Sequence, residues 1–378
     1  VESDTKKLPC PCCEEKECPI HDKRERRWRH LNFWQYETQL IAQVPRVKCK
    51  KCGVHQVKVP WAREGSGFTL LFEAMAMRLA AEMAVNKVGE IMGEKDKRIW
   101  GIIHHYVGTA WGESCWDEVS RIAVDETSRR KGHKYVTVFL DLDSKDLLFM
   151  TPGKNSETIG EFSKQLVDFH GSVENINEIA MDMSRAFQRG AADYLPDAKK
   201  VFDRFHVMQM AGVAFDEVRK SVAKEFGGLE KGAHWALRGN VQRLNAKALK
   251  MREDTCAKYN KIGRAMALKE ALQDLWNCDT REAAKEHFNR FYSWARRCRL
   301  EPFKKLAKSL KKHLEGILDY YNNRTTSAAI EALNGKLQLA RRRARGYRNF
   351  ENFKAIAYWI AGNLEPATKL PNPLPVQS

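Results

Sequence analysis

The sequence predicts an α/β protein: a mixed five-stranded sheet with helices on both faces, preceded by a small cysteine-rich unit and a helical unit, with a long helical stretch further on. Three observations predict it. Six of the ten cysteines lie within the first 52 residues. From residue 121 onward, short apolar runs alternate with helical periodicity in the order β-β-β-α-β-α-β, which a mixed sheet with helices on its faces satisfies. A charged, Trp-containing stretch over 208–320 reads as helix throughout. The boundaries that follow are 1–60, 61–118, 119–207, 208–320, 321–365 and the Pro-rich tail 366–378, "PATKLPNPLPVQS".

The chain has 378 residues, 43% of them hydrophobic, so cores can form, and a formal net charge of +17. Such an excess of Lys and Arg predicts a polyanionic partner, of which nucleic acid is the commonest. No apolar run reaches the ~18–20 residues of a membrane span, and no secretory signal is visible, so a cytoplasmic place is expected. The chain begins at Val1 rather than Met, which leaves room for residues before it.

The first unit carries "LPCPCCEEKEC…VPRVKCKKCG". Cys10 and Cys13 form one C-x-x-C pair, and Cys49 and Cys52 the other. Four thiolates so spaced match a tetrahedral structural Zn²⁺ site. The intervening "RERRWRHLNFWQYETQLIAQVPRVKC" reads as a β-hairpin. So small a unit cannot bury enough surface alone, so the metal contributes to its folding. Cys12, Cys18, His21 and His55 are competing ligands. The "CPCC" run leaves Cys12 against Cys13 open, with the x-x spacing favouring Cys13. A set of free thiols is the plain alternative.

In "GFTLLFEAMAMRLAAEMAVNKVGEIMGEKDKRIWGIIHHYVG" apolar residues recur at Leu71, Ala74, Met75 and Leu79. A short second helix ends at Gly93 and a third begins near Asp96. The lengths suit a helix-turn-helix, with "DKRIWGIIHHYVG", and so Lys97 and Arg98, entering the major groove of double-stranded DNA. An ordinary helical hairpin is the alternative.

"RIAVDETS" is a strand that delivers Asp125 at the end of its apolar run. "KYVTVFLDLDSK" and "DLLFMTPG" complete a meander, and "SETIGEFSKQLVDFHG" is a helix with Ser156 as N-cap. "INEIAMDMSRAF" is a strand delivering Asp182, and "KKVFDRFHV" is a fifth. Asp125 and Asp182 could then lie side by side at neighbouring strand ends. Close carboxylates repel unless a cation lies between them, and hard oxygen ligands favour Mg²⁺ or Mn²⁺. Glu126, the next residue in the strand, should face the other way. Asp141 and Asp143 read as solvated turn acids.

A third acid comes from the helix "TTSAAIEALNGKLQLARRRAR". Ile330, Leu333, Leu337, Ala340 and Ala344 fall on one face. Ser327, Glu331, Asn334, Gln338, Arg342 and Arg345 fall on the other. Glu331 therefore opens a polar stripe with a basic far end, where Asn334, Arg341, Arg342 and Arg345 could meet phosphates. For an isolated helix a solvated face would be the ordinary explanation. Two strand-end acids tip the balance towards a metal ligand. Glu315 and Asp319 are the next candidates.

These residues resemble the ISL-three (ISL3) family of bacterial insertion-sequence DDE transposases. The likeness covers nearly the whole chain, through "CPCC…CKKCG", "VPWAREGSGFT", "IAVDETSRRKGHKYVTVFLDLD", "DRFHV" and "NRTTSAAIEALNGKLQLARRRARGYRNFENF". It implies an RNase H-like catalytic core with the triad Asp125, Asp182 and Glu331, interrupted between the second and third acids by an all-α insertion. It implies that Asp203 and His206 form an accessory D-x-x-H element. Partners would be element ends and target DNA, with a homo-oligomer on DNA in a bacterial cytoplasm, at the nucleoid. The expected chemistry is two-metal-ion attack at phosphorus, the ions ~3.5–4 Å apart. One departure is Glu14, where the finger usually shows Gly after its second Cys. A DNA-binding regulator that no longer cuts and a structure-specific nuclease are the rival readings.

Overall fold

The computed structural model describes residues 7–130, 134–239, 241, 244–324, 328–364 and 368–373. These fall into two compact units, and the division passes through one helix, after Asn334.

The first unit holds 1–114 and 335–378, with 129–133. Its sheet runs β1 (Lys7–Leu8), β2 (Cys18–Phe33), β3 (Tyr36–Cys49) and β4 (Gly53–Gln56), antiparallel throughout. The long β2–β3 hairpin packs Trp28 and Val44 onto Ala62 and Trp61. Three helices follow: α1 (Leu70–Glu82), α2 (Val85–Met92) and α3 (Asp96–Gly112). Thr69 caps α1 by accepting from the Phe72 amide. Gly93, at φ +70, closes α2 as expected. The Glu73 carboxylate is wholly buried, yet it accepts from Arg63 at 3.0 Å, Ser66 at 2.7 Å and Tyr106 at 2.6 Å. This satisfied charge ties α1 to α3, and burial with that bond raises the Tyr106 pKa. The C-terminal helix α15 (Phe350–Ala361) joins the same unit, its Trp359 donating to the Met77 carbonyl at 2.8 Å.

The second unit is built on β5 (Arg121–Arg130), β6 (Lys134–Asp141), β7 (Leu147–Pro152), β8 (Glu178–Met181) and β9 (Lys199–Phe202). The sheet order is β7-β6-β5-β8-β9. β6 and β7 are antiparallel, while β5–β8 and β8–β9 are parallel, so this is the mixed five-stranded sheet expected. Helix α4 (Glu157–Asp168) seats Phe162 flat on Phe139, ring centroids 4.5 Å apart. Helix α5 (Arg185–Tyr194) starts from a Ser184 cap. Helices from α6 (Arg204–Glu225) through α7 (Ala233–Arg238), α8 (Ala246–Lys258), α9 (Asn260–Gln273), α10 (Arg281–Arg297), α11 (Glu301–Lys312) and α12 (Leu314–Leu318) to α13 (Tyr320–Asn323) fill the predicted helical stretch. Helix α14 (Ala328–Arg343) carries Glu331, with Ile330, Leu333 and Leu337 buried as its periodicity predicts. No helix among the described residues is long and apolar enough to cross a membrane.

Four local expectations are corrected. Asp125 lies inside β5, which runs on to Arg130, because the strand continues beyond its parallel pairing with β8. The β8 strand ends at Met181, where Ser184 starts a helix. "DRFHV" is helical from Arg204: Asp203 accepts from the Phe205 amide at 2.9 Å and so caps α6. Ser156 precedes α4, but its side chain makes no cap bond; Thr158 bonds back to the Asn155 carbonyl instead. Ser327 lies outside the described residues.

Candidate active site

Three parallel strands set the site. Ala123 pairs with Ala180, Ala180 with Val201, and Met181 with Phe202. Asp125 lies two residues beyond the last β5–β8 pair, and Asp182 and Asp203 each lie one residue beyond the last β8–β9 pair. Each carboxylate follows a buried apolar run, so the acids share one edge of the sheet. Asp125, Asp182, Asp203, His206 and Glu331 line one cleft, floored by Ala123, Ala180, Met181, Val201 and Ile330. The first turns of α6 and α14 thus bring His206 and Glu331 to the strand-end aspartates.

Asp125 is held at both oxygens. Its Oδ1 accepts the Glu126 amide at 2.7 Å, and its Oδ2 accepts the Asn334 amide group at 2.7 Å. Burial pushes its pKa up, and the charges of Asp182 and Asp203 push the same way, against the Glu126 amide and His206. Asp182 accepts the Ser184 amide at 2.8 Å. His206 Nδ1 and Asp203 Oδ2 are 2.8 Å apart, and this bond raises the imidazole pKa despite burial. Glu331 is exposed on α14. Among the described residues, no three of these acidic and imidazole groups bring ligand atoms within 4.8 Å of one another. The donor set still fits hard divalent cations, because Asp125, Asp182 and Glu331 offer only carboxylate oxygens to one cleft.

Other candidates separate from this cleft. Glu126 does not line it, although burial raises its pKa too. Asp143 pairs with Arg121 at 2.9 Å, and Asp141 accepts the Asp143 amide, so both are turn acids as expected. Glu315 and Asp319 pair with Arg281 instead. Asn334, expected on DNA, sits on Asp125. Its spacing of three residues from Glu331 puts both on one helix face, a signal available in the sequence.

The sulfurs of Cys10, Cys13, Cys49 and Cys52 all lie within 4.8 Å of one another. Cys49 is drawn down to about 6 by the amides of Cys52 and Lys51, and Cys10 is lowered by the amides of Cys13 and Cys12. In each pair, amides of the turn itself lower the pKa of the first sulfur. Cys12 is exposed and its thiol is raised. Burial pushes Cys18 up to about 11. His55 bonds the Cys52 carbonyl at 2.6 Å, and His21 is exposed outside the quartet. Glu14 adopts φ +57, matching Gly53 at +88 after the second pair. The knuckle therefore keeps its left-handed turn with a glutamate in it.

On α3, Lys97 is exposed. Arg98 is also exposed, yet it is bonded to Glu94 at 2.8 Å and lies over the Phe68 ring at 4.2 Å. On the basic end of α14, Arg342 and Arg345 are exposed and Arg341 is half-buried.

Residues 122–357 match a family model described as a transposase, of the ISL3 group. The chain belongs to the ISL3 transposase family. Residues 57–107 match the helix-turn-helix domain of transposase family ISL3, and residues 6–52 match the zinc-finger of transposase IS204/IS1001/IS1096/IS1165. The chain is 28% identical over 364 residues to the transposase for insertion sequence element IS1557 of Mycobacterium tuberculosis, covering 88% of this chain and 80% of that protein. It is 24% identical over 356 residues to the transposase for IS1001 of Bordetella parapertussis, covering 92% and 87%. As an ISL3 transposase carrying a helix-turn-helix it is a DNA-binding protein, and its zinc-finger match coincides with the four-cysteine cluster.

Proposed function

We propose that this ISL3 transposase binds the ends of its insertion sequence and cuts and joins DNA strands by metal-dependent chemistry at Asp125, Asp182 and Glu331. The observation that supports this reading is the single cleft that Asp125, Asp182 and Glu331 line together, just beyond the paired residues of β5 and β8. Those three carboxylates would hold Mg²⁺ or Mn²⁺, and Cys10, Cys13, Cys49 and Cys52 the structural Zn²⁺. When bound, the active-site cations supply activation of a water or 3′-hydroxyl and stabilisation of the leaving oxygen at phosphorus. Asn334 and the Glu126 amide fix the Asp125 carboxylate with one bond to each oxygen. Asp203 orients His206 beside the acids, and their bond raises the imidazole pKa. No covalent link between protein and DNA is needed.

Lys97 and Arg98 of α3 would meet DNA at the element end, and Arg341, Arg342 and Arg345 would follow phosphates. Because strand transfer joins two ends to one target, the working form is a homo-oligomer on DNA. The test is incubation of purified protein with a plasmid carrying both element ends, with Mg²⁺ or with chelator. Cleavage at the ends only with Mg²⁺ supports the reading. Tight end binding without cutting would make it a regulator, and cutting directed by DNA shape rather than by the ends would make it a nuclease.

A further inference from the structure

The β2–β3 hairpin ends in a feature that folding does not require. Phe33 pairs with Tyr36 across a two-residue turn, Trp34–Gln35. Trp34 is at φ +58, whereas turns with positive φ at their first central position ordinarily take Gly there. A bulky residue in that conformation is rare and strained. Trp34 is also 82% exposed, with Phe33 at 70% and Tyr36 at 66%. The Phe33 and Trp34 rings stack at 6.1 Å, inclined by 26°. Neither backbone preference nor burial accounts for a tryptophan there.

The tip is held in place. The pairing slips between His30 and Phe33, a bulge. Buried Arg29 clasps it, bonding the His30 and Thr38 carbonyls and the Asn32 side chain. The same guanidinium donates to the Met92 carbonyl at 3.2 Å and lies over Phe72. Glu37, just beyond the tip, has a carboxylate oxygen 3.3 Å from where a Cβ would stand on Gly93. The tip is therefore fixed beside the turn between α2 and α3. Exposed Lys95 closes that turn, and exposed Lys97 stands in the first turn of α3. Stacked, exposed aromatic rings fixed beside the turn that leads into α3 of the helix-turn-helix unit suit nucleobases.

We infer that the Phe33–Trp34 tip is a second DNA-reading element, which stacks on or wedges between bases next to the groove entered by α3. This rests on DNA binding by the helix-turn-helix unit and adds a contact to it. The test uses full-length, zinc-loaded protein and a 30-base-pair duplex from the DNA flanking its gene. Wild type, Trp34→Ala, Trp34→Phe and Phe33→Ala are compared by fluorescence anisotropy. Zinc content and thermal melting serve as fold controls. Trp34→Ala should weaken binding by roughly tenfold or more, the scale of one lost base stack. Its salt dependence should not change, since no phosphate contact is lost, and Trp34→Phe should retain most of the affinity. With 2-aminopurine walked along the duplex, wild type should change the emission at one or two adjacent positions, and Trp34→Ala should not. Wild-type affinity and emission in Trp34→Ala would overturn the inference alone. So would loss of self-association with DNA affinity intact, which would make the tip a protein interface. If wild type itself failed to bind the duplex, the DNA-binding reading would fall as well.

Discussion

Glu14 broke the expected finger pattern, yet the chain still turns left-handed there, at φ +57. A non-glycine residue in that conformation costs about 1–2 kcal/mol. Glu14→Gly should therefore raise the melting temperature of the zinc-loaded protein by a few degrees (ΔΔG about 1 kcal/mol) without changing its zinc content; a lower melting temperature would show that the glutamate side chain contributes more than its backbone costs. Asp203 was legible as an acid after an apolar strand, but its capping of α6, and so the helical setting of His206, was not. The Asp203 bond raises the His206 pKa. Folded-state stabilisation from the pair is thus full below the ordinary histidine value of about 6.5 and fades as pH rises through the elevated one. In Asp203→Asn the imidazole should titrate at lower pH, read by NMR on the metal-free protein. An unchanged titration would remove Asp203 as the cause. Asn334 shows the opposite error: its polar helix face was read correctly, but its partner is Asp125 rather than phosphate. Periodicity gives a face, not what stands opposite it.

Among elements, the sheet was the most legible, because buried parallel strands read as short apolar runs and their polar successors mark the ends. Asp125 was the exception: β5 outlasts its apolar run, since beyond Ala123 its position no longer depends on pairing with β8. The helix boundaries near the site were set by side-chain caps at Asp203 and Ser184, which compete with strand periodicity over only a few residues. The finger was legible from spacing alone, while the turn amides that lower the pKa values of Cys49 and Cys10 were not. Cys49→Ser removes the sulfur drawn down to about 6 and one of four ligands. The variant should hold far less than the roughly one zinc per chain expected of wild type, with weaker end binding and an intact second unit. Full zinc in Cys49→Ser would place the metal on other ligands, and no zinc in wild type would dismiss the finger.

At the scale of the molecule, the helices of 208–320 belong to the same compact unit as the five-stranded sheet, and their periodicity does not tell which of their tryptophans face outward. Trp276 is buried against Tyr320, whereas Trp235 is 76% exposed and Trp294 is 40% exposed. Exposed tryptophans are typical anchors of protein interfaces, and pairing of two ends needs two copies near each other. Replacing Trp235 and Trp294 together with Ala should lower the yield of paired-end complexes by about tenfold or more, on the scale of a lost hot spot, with single-end binding preserved. Unchanged pairing in a gel-shift assay with both ends would assign the interface elsewhere. The central claim is the assignment of chemistry to the strand-end acids and Glu331. It is tested most directly by end cleavage in Mg²⁺ by wild type, Asp125→Asn, Asp182→Asn and Glu331→Gln, all at saturating DNA. Each variant should bind the ends as wild type does and cut at least about a thousandfold more slowly, since about 4 kcal/mol of transition-state stabilisation is lost. Cleavage at the wild-type rate by any one of the three would contradict the account.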